Sequence, residues 1–230
     1  MSTPAKSAST THPKTKSRSQ PNNMTNPENP PYRQIRALYT PQTITIYQAY
    51  PPPIALPALA TQSLSQVPTF KRTRMTWIKP SFLWMAYRSG YATKQNQEHV
   101  LAIEISRQGF EWALDHAVLS HIPGSASAEQ VETWKKDVDG SCVRVQWDPE
   151  RDLYGNPLGY RSLQVGLRGE AVGRFVDQWI VSIKDVTGLM HDIKEMIEMK
   201  DLEGAEKLLP VEEVYTLPGG VARGVGMQVT

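Results

Sequence analysis

From Tyr32 onward, short β-branched and aromatic runs alternate with segments of helical spacing, and this alternation most restricts the fold. "TITIYQAY", "HVLAIEI", "CVRVQW", "RSLQVGL" and "WIVSIKDV" read as strands, because such side chains fit a pleated, half-buried surface. Between them, Phe110, Leu114 and Val118 share one helical face, as do Leu189, Ile193 and Met196/Ile197. "TPQT" and "YGNPLGY" carry turn chemistry. Helices are also expected over "IALPALATQSL", with Pro57 in its first turn, and over "PSFLWMAYRSG", with Pro80 in the first turn and Gly90 at the end. The pattern predicts an α+β fold: a curved or split mixed sheet of about six to seven short strands with packed helices.

Length and charge narrow this further. A chain of 230 residues suits one globular domain, placed at 32–217. Residues 1–31 are rich in Ser, Thr, Pro and Lys and nearly free of large apolar groups, so a disordered basic tail is expected. The Gly-containing stretch 218–230 is expected to be a flexible C-terminal end. Of the formal charge of +2, Lys6, Lys14, Lys16 and Arg18 against Glu28 supply +3, leaving the body close to neutral. Overall charge therefore gives no case for nucleic-acid binding, and a basic site must come from local clustering. The single cysteine, Cys142, cannot form an internal disulfide and is expected to be a buried structural thiol. No apolar run reaches the roughly 18 residues of a membrane span, and no signal-peptide core opens the chain. An intracellular, cytoplasmic location is the expectation.

The familiar catalytic signatures are absent: there is no phosphate-binding G-x-x-x-x-G-K-S/T, no H-E-x-x-H and no G-x-S-x-G. His12, His99, His116, His121 and His191 are scattered without metal-ligand spacing, so no metal site is expected.

One segment stands apart. "RMTWIKPSFLWMAYRSG" mixes Arg74, Lys79 and Arg88 with Trp77, Phe82, Trp84 and Tyr87. Lys79 stands just before a helix start that Ser81 can cap. A helix N-terminus is already partly positive, so a lysine there calls for an anion, either a phosphate or a neighbouring carboxylate. Elsewhere, Arg36 lies in an otherwise apolar run, Tyr47 and Gln48 end a strand at a Pro-rich bend, and Arg161, Ser162 and Gln164 begin another strand. Their partners are either acids such as Asp148, Glu150 and Asp152, forming a structural knot, or a bound nucleotide.

The segments "IRALYTPQTITIYQAY", "RMTWIKPSFLWMAYRSG", "VRVQWDPERD", "YRSLQVGLRGEAV" and "WIVSIKDVT" resemble the family called domain of unknown function 4291, over about residues 32–217. A weaker similarity is to ADP-ribosyltransferase-like domains. It implies NAD as cofactor, Tyr47 and Gln48 at the first-strand position, Trp77 to Ser81 along the nicotinamide ribose, and Glu104 or Glu170 as the catalytic acid. Gln48 departs from the His or Arg usual there. A second enzyme reading makes Lys79 the covalent nucleophile of a nucleotidyltransferase or RNA-ligase-like protein, although the K-x-D/N-G pattern is missing. The non-catalytic alternative is a module for nucleotides or RNA ends, with Trp77, Trp84 and Tyr87 stacking on bases. The shared expectation is a cleft for a nucleotide-type phosphate ligand, built from Arg36, Tyr47, Gln48, Arg74, Trp77, Lys79, Ser81, Arg88, Arg161, Ser162 and Gln164.

Overall fold

The structure is a computed structural model, and it describes Met1, residues 30–122 and residues 124–228. The tail expected over 1–31 lies almost wholly outside the described residues. The described fold is α+β, with nine strands and eight α-helices. Two strands, β1 (Arg36–Ala37) and β9 (Glu213–Val214), are two-residue pieces that pair only with each other. The other seven form two sheets.

The first sheet has the order β2-β4-β8, from Thr43–Tyr50, His99–Ser106 and Ile180–Asp185, all antiparallel. The second has the order β3-β7-β6-β5, from Thr76–Ile78, Pro157–Leu167, Val143–Arg151 and Ala117–Leu119. Its β5–β6 pair is parallel and the rest antiparallel. A single bridge joins the two sheets: the Tyr47 backbone N–H donates to the Lys79 carbonyl at 2.7 Å. The Gln48 amide reinforces this seam by donating to Thr76 Oγ1 at 2.7 Å and to the Trp77 carbonyl at 3.1 Å. The mixed sheet is therefore split along the line where Lys79 sits.

Alternation decides which face of the second sheet is core. Val143, Val145, Trp147, Leu163, Val165, Leu167 and Ile78 are buried in the main cluster, so Gln146, Asp148, Ser162 and Gln164 fall on the other face. Each fully buried aliphatic side chain contributes about 1.5–3 kcal/mol over leaving it in water, which holds this register against a one-residue slip. Helix α2 (Phe82–Ser89) packs beside β2 and β6 and helps to bury a second cluster around Tyr47, Phe82, Met85 and Met190.

Several boundaries depart from expectation. Helix α1 runs Pro52–Thr61, with Pro at its start, and Pro57 lies inside it rather than in the first turn. Trp77 and Ile78 belong to β3; Ser81 is the N-cap of α2, so Pro80 precedes the helix instead of entering it. Strand β6 passes through Asp148-Pro149 to Arg151, accommodating the proline at a register shift. The C-terminal stretch is not a loose end. Helix α8 (Gly219–Gly224) buries Ala222, Val225 is fully buried, and the Trp147 indole donates to the Val225 carbonyl at 2.8 Å. Cys142 is only half-buried, against the edge of the core. No helix among the described residues is long and apolar enough to cross a membrane.

Candidate functional site

The split between the sheets opens a cleft of about 610 Å³ that brings together Gln48, Arg74, Trp77, Lys79, Arg88 and Gln164. Lys79 defines it. Its side chain is 7% exposed, yet among the described residues no carboxylate oxygen lies within 4.0 Å of the ammonium and no acceptor bonds it. Burial pulls its pKa down to about 8; neighbouring Arg88 adds to the effect and Asp148 opposes it. Arg74 and Arg88 are exposed at the rim, and Arg88 is hydrogen-bonded to the Gln97 amide. The Trp77 indole reaches across Gly166 of β7, where a Cβ would stand 2.9 Å from its Cη2. On the floor, the cross-strand pair Gln146 and Gln164 both donate to Asp148, at 2.7 and 2.6 Å.

The anion that Lys79 and the helix start call for is partly internal. The Phe82 backbone N–H donates to Glu212 Oε1 at 2.6 Å, and Ser81 Oγ accepts from Trp84 N at 3.1 Å. A protein carboxylate therefore takes the helix N-terminus, while the Lys79 side chain turns to the cleft. Ser81 instead lines a neighbouring cavity of about 440 Å³ with Arg36, Tyr160, Glu150 and Glu212. There the buried Glu150 accepts from the Ser81 hydroxyl at 3.0 Å and from Arg151 N at 2.9 Å. Desolvation raises the pKa of Glu150 and pushes that of Glu212 up to about 8, with the Glu150 charge adding to the second shift.

The remaining expected site residues lie elsewhere. Tyr47 is core, edge-on to Phe82. Ser162 is buried on the cleft side of β7 with an unpartnered hydroxyl. Its neighbour Arg161 points to the opposite face, donating to the Tyr32 hydroxyl and the Trp147 carbonyl. Glu104 pairs with Lys184 at 3.0 Å, and Glu170 with Arg174 at 2.6 Å, both away from the cleft. Trp84 is not available for stacking on a ligand, since it is buried and Tyr87 already stacks on it. Of the acid knot, Asp152 clamps the β6–β7 turn through Asn156, Glu150 faces the smaller cavity, and Asp148 lies behind the cleft glutamines, bonded to Gln146 and Gln164. Gln146, Asp148, Glu150 and Glu212 are the site residues that sequence reasoning did not assign.

Fold and site together define an α+β protein with a split mixed sheet whose seam carries a cleft of cationic, amide and indole groups. The family model described as a domain of unknown function (DUF4291) matches residues 34–215, and the chain belongs to that family. No match was found among curated proteins.

Proposed function

We propose that the cleft at the sheet seam binds a nucleotide-type ligand through its phosphates. The observation that carries this reading is Lys79, a buried residue whose ammonium has no carboxylate within 4.0 Å among the described residues and which lines the cleft with Arg74 and Arg88. A buried cation costs stability unless something negative meets it. Inorganic phosphate alone would leave most of the 610 Å³ empty, whereas a nucleotide also uses the Trp77 indole and the glutamines. The test is a thermal-shift series with ATP, GTP, NAD and short RNA on the wild type and on Lys79→Ala. At 100 times the dissociation constant a ligand stabilises by about 2.7 kcal/mol, a shift of several degrees. Absence of any shift sinks the reading; an equal shift in Lys79→Ala removes Lys79 from it.

A covalent reading is favoured by the same amine, since a lysine titrating near 8 is partly neutral at physiological pH. In that chemistry the neutral Nζ attacks the α-phosphorus of a nucleoside triphosphate. An N–P bond forms, the α–β phosphoanhydride P–O bond breaks, pyrophosphate leaves, and one amine proton passes to solvent. Intact-mass measurement after incubation with ATP or GTP detects the nucleotidyl adduct, and loss of that adduct in Lys79→Ala assigns it.

A further inference from the structure

Gln146 and Gln164 stand directly opposite each other on β6 and β7, and both amide nitrogens are tied to one carboxylate, that of Asp148. An ionised carboxylate only accepts hydrogen bonds, so it forces both glutamines to present nitrogen to Asp148 and leaves both Oε1 atoms for the cleft. Neither Oε1 receives a hydrogen bond from the described residues, although both side chains line the cleft. The cleft thus carries two amide acceptors on paired strand residues, lined in common with the Trp77 indole and three cations.

We infer that this acceptor pair selects guanine nucleotides. The inference rests on the nucleotide reading above and names the base. Guanine alone among the common bases carries two neighbouring donors, N1–H and the N2 amino group, on its pairing edge. Adenine presents the N1 lone pair beside its amino group, and cytosine the N3 lone pair, so either turns an acceptor toward an acceptor. Uracil offers one donor between two carbonyls. Trp77 supplies a stacking plate next to the pair, because Gly166, two residues beyond Gln164 on the same face of β7, leaves room for its indole. Asp148 is then a positioning residue: it touches the glutamines and sets which atom each offers. A polar site of this kind discriminates strongly, since a mismatched base leaves its groups unpaired.

The experiment compares GTP, ITP, ATP and inorganic tripolyphosphate by calorimetric titration of the full chain. GTP is expected to bind at least tenfold more tightly than ATP. ITP, which keeps N1–H and lacks the amino group, should fall between them. Equal affinities for GTP and ATP overturn the guanine inference while leaving the nucleotide reading standing; no binding by any nucleotide overturns both. Asp148→Asn frees the amides to rotate and should bring GTP and ATP within about twofold of each other, with tripolyphosphate affinity retained. If this variant keeps the full GTP preference, Asp148 does not position the glutamines. Gln164→Met, a second variant of similar volume, must also erode the preference for the acceptor pair to stand.

Discussion

Glu212 sits with a carboxylate oxygen 2.6 Å from the backbone nitrogen of Phe82, a residue 130 positions earlier in the chain. This contact places a carboxyl acceptor on the first turn of α2 and ties the segment before β9 to the seam of the split sheet. The start of α2 therefore has its acceptor within the protein, while the Lys79 side chain turns to the cleft.

The Glu212 carboxyl gives the protein a pH signature. Its pKa in the fold, near 8, lies above the ordinary 4.5, chiefly through desolvation. Between those values the native state holds a proton that the unfolded chain has released, so its contribution to stability declines as pH rises. The melting temperature of the wild type should fall from pH 5 to pH 8.5, and Glu212→Gln, which still accepts from Phe82 N, should flatten that slope. An unchanged slope in the variant would assign the titration to another group.

Lys79→Met should separate stability from binding. Holding this ammonium charged in its buried site, with a pKa lowered from 10.5 to about 8, costs about 3 kcal/mol at neutral pH. Methionine keeps the aliphatic stem, so the variant should melt roughly 5 °C higher at pH 7 and show no nucleotide-induced shift. The wild type loses this penalty as pH rises from 8 toward 10.5, so the gap between the two proteins should narrow at pH 9.5. A variant less stable than the wild type at pH 7 would mean that the ammonium is already compensated.

Gly166→Ala should damage the cleft from beneath. The added methyl would stand 2.9 Å from both Met75 Sδ and Trp77 Cη2, too close without movement. A loss of about 1–3 kcal/mol is expected, with weaker nucleotide binding as the indole is displaced. Adding Trp77→Phe should recover part of the stability but not the binding. Denaturant unfolding of the two single variants and the double variant measures that coupling.

Glu104→Gln and Glu170→Gln should each change stability by less than about 0.5 kcal/mol, because surface ion pairs contribute little. Nucleotide-induced thermal shifts should match the wild type in both. A selective loss of binding in either would return that acid to the site.

The fold class was readable because strand and helix periodicities are local. The β-branched run of β2, the alternation in β6 and the Leu189/Ile193 stripe of α6 (Thr187–Glu198) each declare themselves within a dozen residues. Even the cleft floor had a local trace: Ser162 and Gln164 share a strand face, and the same period of two places Gln146 and Asp148 together on β6. Which two faces meet is not local, so the Gln146–Asp148–Gln164 cluster needed the register of the β6–β7 hairpin. Glu104 and Glu170 were equally plausible acids in the linear chain, and only their ion pairs on the surface remove them from the cleft.

From its residues alone, then, the chain specified an α+β fold, a concentration of cationic and aromatic groups around Lys79, and membership of one family. Tertiary structure decided that Lys79 and Ser81, two residues apart, serve different cavities, and that Glu212 rather than a ligand answers the helix N-terminus. The physical reason is the range of the forces involved. Periodicity and capping act over a few residues, whereas burial and electrostatic pairing depend on which distant segments the core brings into contact.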